Sequence, residues 1–298
     1  MFKIGWCTMG INLDYEGFKG DKKISIINKV EVENYLNVIG SKNHYYDKNN
    51  VAPPIYNVVQ EISILEDIWK MNDLHGSEEQ MKQNVLMLVH GEQTMNFKRL
   101  LKVGEEVSSI ASVENIMQKG ANYILRLKAE HFDNSGEEIS NSLWTLFIRA
   151  AEIKKDESKP SGKKPNPKPA SPKPIREEIS SDVFNIEDMI THKYSVASKD
   201  HNPIHTDDEI AKKAGLSGII VHGLCTMAMT MEKLIDNNLK GQPDKVESIT
   251  LRFSSPVYPG DQLKVISYSN DSNNSFDFEV ENKSGIKVIK SGKVTFKD

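Results

Sequence analysis

Residues 97–107 read FKRLLKVGEEV, and residues 253–263 read FSSPVYPGDQL. Phe97 and Phe253, Gly104 and Gly260, and Glu105 and Asp261 each stand 156 positions apart. After each Gly–acid turn comes an alternating apolar run, VSSIASV (107–113) in one block and LKVISYS (263–269) in the other. Two more such runs follow in each block: YILRLKAEHF (123–132) and SLWTLFIRA (142–150), then SFDFEVEN (275–282) and KVIKSGKVTF (287–296). The turn signals NSG (134–136) and KSG (283–285) separate them. Alternation with a period of two, bounded by Gly, Asn and Ser, specifies antiparallel strands and hairpins. A second near-repeat has almost the same offset: SKNH at 41–44 and SKDH at 198–201. The pattern reads as an internal duplication.

The intervening segment, KKDESKPSGKKPNPKPASPKPI (154–175), is dominated by Lys, Pro and Ser. It holds too little apolar surface to offset the entropy of ordering it. It therefore reads as a linker between an N-terminal domain (1–153) and a C-terminal domain (176–298). Asp156 and Glu157 dilute its charge, which disfavours a nucleic-acid or membrane tail. The 298-residue length suits two domains, and 38% apolar residues suffice for ordinary cores. A net charge of −4 argues against a nucleic-acid surface. Two cysteines, Cys7 and Cys225, are too few for a disulfide framework. Residues 1–25 mix charge and glycine unlike a secretory signal, and the apolar stretch 216–231 is shorter than a membrane span of about 20 residues. These features lead to the expectation of a soluble cytoplasmic protein that does not engage membranes.

The front of each block is expected to be helical. Thr206-Asp207-Asp208-Glu209 fits a capping box with Thr206 as the N-cap, opening a short helix that ends near Gly215. Leu224, Met227, Ala228, Met231, Leu234 and Ile235 fall at three- to four-residue spacing, a longer helix stopping near Gly241. Helices followed by an antiparallel sheet make each block an α+β unit.

Asp200 and His205 flank HNPI, and Pro203 discourages a continuous helix through them. A bend there brings an acid and an imidazole over one small site, a pairing suited to proton transfer. Asn202 is placed to brace the loop by bonding its backbone. His222-Gly223 stands at the start of the long helix, where unpaired N–H groups and the dipole favour a developing oxyanion. Glycine there lets a carbonyl oxygen approach the backbone. Plainer readings stand beside these. D-x-N-P-x-H reads equally as an Asx turn and helix entry. His201 and His205 are spaced like metal ligands on a helix, which Pro203 opposes, so no metal is expected. Met227, Met229 and Met231 read as core or pocket wall. His222 reads as a brace for its turn, and Cys225 as inert packing.

The span YSVASKDHNPIHTDDEIAKKAGLSGIIVHG (194–223) resembles the MaoC-like hydratase/dehydratase family, as do FSSPVYPGD (253–261) and, in the first block, LVHGEQTMNFKRLLKVGEEV (88–107). The resemblance implies a double hot-dog fold, with two tandem domains, each a central helix wrapped by a curved antiparallel sheet. It implies reversible hydration of trans-2-enoyl thioesters to (R)-3-hydroxyacyl thioesters, with no cofactor and an acyl-CoA or acyl-carrier-protein substrate. It assigns Asp200 and His205 as the catalytic pair, Asn202 as a supporting residue and Gly223 as donor to the thioester oxygen. Rival readings are a non-catalytic acyl-thioester-binding or assembly subunit, and a hot-dog thioesterase. Double hot-dog chains can also pair as homodimers. Two departures stand out. Lys199 occupies a position where the family usually has Gly. In the first block Asn43 stands in place of Asp200, and Lys48 in place of His205. One active site per chain is therefore expected.

Overall fold

The computed structural model describes residues 10–86, 88–149 and 176–297. The expected linker, 154–175, lies outside the described residues. The first block contributes strands β1 (Lys23–Ile26), β2 (Leu88–Phe97), β3 (Glu106–Lys119), β4 (Asn122–Phe132) and β5 (Glu138–Ile148). The second contributes β6 (Glu178–Asn185), β7 (Val246–Phe253), β8 (Gln262–Tyr268), β9 (Ser275–Asn282) and β10 (Lys287–Phe296). The helices are α1 (Lys29–Val38), α2 (Tyr45–Asn49), α3 (Val58–Trp69), α4 (Asn72–His75), α5 (Glu78–Leu86), α6 (Ile190–Ser198), α7 (Asp208–Lys213) and α8 (Gly223–Asn238).

All ten strands join one antiparallel sheet in the order β1-β3-β4-β5-β2-β7-β10-β9-β8-β6. The second half repeats the first in reverse, so β2 and β7 meet at the centre. In their register Thr94 pairs with Thr250, and the two hydroxyls bond at 3.1 Å. These residues are 156 positions apart, the offset of the sequence repeat. The pseudo-twofold axis therefore runs between a residue and its own duplicate, and the duplication is a symmetry of the fold. Gly104 and Gly260 share this symmetry at φ +86° and +82°, a left-handed turn that costs glycine little. The hairpin runs form strands where period-two alternation placed them.

α3 packs on β3 and β4, and α8 on β6 and β8, giving each half sheet one central helix. One continuous hydrophobic core joins the halves. α3 starts 14 positions after His44, whereas α8 starts 22 after His201. α4 and α5 then fill the interval before β2, and the 156-residue offset is regained. Among the described residues no helix is long and apolar enough to cross a membrane.

Two expectations need correction. A short edge strand precedes the α-helices of each block, with a 3₁₀ turn, Leu13–Tyr15, ahead of it in the first. β1 and β6 are the two edges of the sheet, and exposed Ile24, Ile26, Ile179 and Val183 leave one face of each without a core to face. Pairing to β3 and β8 makes them strands, a tertiary contact that local alternation does not report. The cap of α7 is Asp207, not Thr206. Asp207 has extended backbone, and its carboxylate accepts from Glu209 N at 2.9 Å and Ile210 N at 3.0 Å. Thr206 instead closes the preceding 3₁₀ turn, donating its N–H to Pro203 O at 3.1 Å. The expected stops hold: Gly215 and Gly241, at φ +83° and +69°, lie just past the two helices.

Candidate active site

The site is assembled between the end of α6 and the start of α8. Lys199 leaves α6 in the left-handed region at φ +64°, a conformation a Cβ disfavours. Its ammonium reaches across to the first block and pairs with Glu31 at 3.0 Å. This ion pair shows what the lysine does in a position where the resembled family usually has glycine. The turn presents Asp200, whose carbonyl accepts from Ser195 Oγ at 2.7 Å and whose carboxylate accepts from Asn202 N at 3.1 Å. Asn202 Oδ1 in turn accepts from Ile204 N at 3.3 Å, the side-chain-to-backbone brace the sequence suggested. Pro203 opens a single 3₁₀ turn, Pro203–His205, so the segment is the bent loop its proline implied.

His205 is buried, and its Nδ1 lies 2.7 Å from Ile220 O. A carbonyl only accepts, so this contact places the proton on Nδ1 and leaves the Nε2 lone pair free. Burial holds the imidazole below its ordinary pKa, and the Asp200 charge partly offsets that. Asp200, His205 and His222 bring ligand-type atoms within 4.8 Å of one another. His201, the other member of the i, i+4 pair, is exposed and bonds Ser195 Oγ at 3.0 Å instead. The His205 and His222 rings stack at 3.7 Å and 25°. Nearly parallel rings aim their in-plane lone pairs side by side rather than at a common point. The trio therefore suits hydrogen bonding to a small polar molecule better than chelation of an ion.

α8 begins at Gly223 with His222 as its N-cap; the His222 carbonyl accepts from Cys225 N at 3.0 Å and Thr226 N at 3.1 Å, so the N–H groups without an acceptor inside the helix are those of Gly223 and Leu224. A Cβ on Gly223 would lie 3.1 Å from the Phe253 ring, so any larger residue would press on that ring at the helix start. Cys225 and the buried methionines Met227 and Met231 pack in the core beneath.

One residue of the first block reaches this corner unforeseen. His90 stacks on Trp144 at 4.6 Å and meets the Phe253 ring edge-on at 5.0 Å. Its Nε2 faces Gln93 Oε1 at 2.9 Å, and burial lowers its pKa to about 4, opposed in part by Gln93 and the Asp200 charge. The signal was the tripeptide VHG, which occurs at 89–91 as well as 221–223. These copies are 132 positions apart rather than 156, so they are not duplicates of each other. Beside Phe253 a cavity of about 570 Å³ is lined by Gly91, Phe147, Arg149, Arg252 and Lys290, among others. It lies next to two bulges, at Gly91 in β2 and Ser291 in β10.

The first block's counterpart of the loop has become an interdomain contact. Asn43 donates its Nδ2–H to Gly241 O at 3.0 Å, and Tyr46 donates to Glu232 Oε1 at 2.6 Å. Ser41 Oγ donates to the other Glu232 oxygen. Lys48, at the position equivalent to His205, is exposed on α2. No acid–base pair is assembled there among these residues.

Comparison with known proteins matches residues 27–150 to the MFE-2 hydratase 2 N-terminal domain and 163–290 to the MaoC like domain. The peroxisomal enoyl-CoA hydratase 2 of Arabidopsis thaliana is 31% identical over 186 residues, 61% of this chain. The match spans 60% of that relative's length. Among solved structures, a MaoC-like dehydratase from Phytophthora capsici superposes with a TM-score of 0.76 at 23% identity, covering 97% of this chain and 99% of the other. A Mycobacterium tuberculosis protein described as a double hot-dog fold superposes with a TM-score of 0.54 at 12% identity, covering 94% and 95%. The two structures show the fold, a double hot-dog.

Proposed function

The chain is a two-domain member of the MaoC-like family, and from that premise we propose that it reversibly hydrates trans-2-enoyl thioesters to (R)-3-hydroxyacyl thioesters. The observation carrying this reading is the Asp200 carboxylate within 4.8 Å of the imidazole of His205, whose Nδ1 is taken by Ile220 O and whose Nε2 is left as an acceptor, beside the N-terminus of α8. A water held by the two acceptors loses a proton to them as its oxygen bonds C3 of the enoyl group. The C2–C3 π electrons move toward the carbonyl and leave an enolate oxygen. Gly223 N–H and the positive end of α8 stabilise that charge as it develops. The proton then passes to C2, which completes addition of one water. Dehydration retraces these steps.

Coenzyme A is the proposed carrier. Arg149, Arg252 and Lys290 around the cavity beside Phe253 are suited to its phosphates. The test is incubation with a short trans-2-enoyl-CoA, following loss of the conjugated thioester absorbance and the chirality of the product. Formation of the (R)-3-hydroxy thioester, lost in both Asp200→Asn and His205→Gln, is the expected outcome. Undiminished turnover in either variant refutes the assignment of the pair. Turnover confined to carrier-protein thioesters removes coenzyme A from the proposal. Binding of all these thioesters without turnover of any favours the non-catalytic subunit.

A further inference from the structure

We propose that His222 is a positioning residue that sets the separation of Asp200 and His205. It touches both. Its ring lies on His205 at 3.7 Å, and its Nε2 faces the main-chain carbonyl of Asp200 at 3.2 Å. A carbonyl only accepts, so Nε2 carries the proton and donates. Ser195 Oγ from α6 binds the same carbonyl. The Asp200 peptide is thus tied to α6 by one bond and to α8 by another. Tyr194 packs on the His222 ring at 5.1 Å, and His222 is only 1% exposed, so it has little room to move.

The chemistry of the side chain also points to this role. His222 Nδ1 is buried with no hydrogen-bond partner. A buried orphan acceptor costs about 1–3 kcal/mol, so its presence calls for an explanation. Phenylalanine would stack without an orphan, and glutamine would donate to Asp200 without stacking. Of the three, only histidine makes both contacts. Because His222 is also the N-cap of α8, the residue that spaces the acid–base pair fixes where Gly223 N–H begins. The two halves of the proposed chemistry are thereby referenced to one side chain, and displacements of about 1 Å in such a constellation can cost on the order of a hundredfold in rate.

The kinetic part of the test rests on the hydration reading, and wild-type turnover is its control. His222→Phe keeps the stack and removes the bond, whereas His222→Gln keeps the donor and removes the stack. Each folded variant, judged by circular dichroism and thermal midpoint, is expected to lose at least about tenfold in kcat with KM within about twofold. A folded variant with wild-type kcat overturns the proposal, as does KM rising in step with the fall in kcat. If one variant does not fold, the other decides. Absence of wild-type turnover sinks the hydration reading but not this one, which nitrogen-15 histidine spectra then test. The Nδ1–H tautomer is held by Ile220 O throughout, and because the Asp200 charge favours protonation of His205, a changed separation is expected to displace the His205 titration in both variants. An unchanged His205 titration overturns the proposal.

Discussion

Replacing Glu232 by Gln should remove a pH dependence of stability built into the domain junction. Glu232 lies on α8, buried, with Ser41 and Tyr46 of the first block donating to its carboxyl. Burial raises its pKa from 4.5 to about 7, and the two hydroxyl donors only partly oppose that. The folded chain therefore holds a proton that the unfolded chain releases above 4.5. The stability that Glu232 contributes is full below 4.5, falls as pH rises toward 7, and is level beyond it. Two and a half units correspond to roughly 3 kcal/mol, of which most is lost between pH 5 and pH 8. A glutamine stays neutral throughout, so this contribution to the slope should vanish. Its amide can accept from only one of the two hydroxyls, a penalty of about 1 kcal/mol that does not vary with pH. The assay is urea unfolding of both proteins at pH 5, 6, 7 and 8, followed by tryptophan fluorescence. The difference, variant minus wild type, should grow by roughly 2–3 kcal/mol across that range. Parallel pH profiles for the two proteins would refute the reasoning, because the carboxyl would then ionise alike in both states.

Asn43→Asp restores the acid that the second block has at Asp200, but it removes the donor to Gly241 O and sets a carboxylate against that carbonyl. A loss of about 1–3 kcal/mol is expected, read as a lower urea midpoint, and an unchanged midpoint would show that the bond does not matter. Because burial lowers the His205 pKa, the acid limb of kcat/KM should fall below 6.5. In Asp200→Asn a proton NMR titration should place His205 lower still, since the carboxylate charge is what opposes the burial; a rise would contradict this. Burial pushes the Cys225 thiol far above its usual pKa. It should resist iodoacetamide at pH 8 in the native chain and react on unfolding, with peptide mapping as the readout. Native-state labelling would show that the α8 core opens.

The strands of both hairpin sets were legible because alternation needs only neighbouring residues. Asp200, Asn202 and His205 were legible for a related reason. A proline and an Asx turn confine them to a six-residue loop whose bend is set locally. The start of α8 was readable from its apolar spacing, which placed His222 and Gly223 at the helix end. The N-cap of α7 was misplaced by one residue because Thr206 and Asp207 are both competent caps, and the 3₁₀ turn at Pro203 claimed the threonine. The edge strands β1 and β6 carry only short alternation, in KISI and EISSDVFN, and the partners that make them strands lie far along the chain.

The sequence by itself determined the duplication, the alternation that builds the sheet, and the loop that carries the acid and the imidazole. Only the tertiary structure decided which side chains surround them. The contacts Lys199–Glu31, Glu232–Tyr46 and His90–Phe253 join residues 168, 186 and 163 positions apart. The stack of His222 on His205 likewise depends on where α8 meets the loop. Spacing along a chain fixes distances only within a turn or a helix face. Beyond that, position is set by the β2–β7 pairing, whose register at Thr94 and Thr250 lays one half of the molecule against the other.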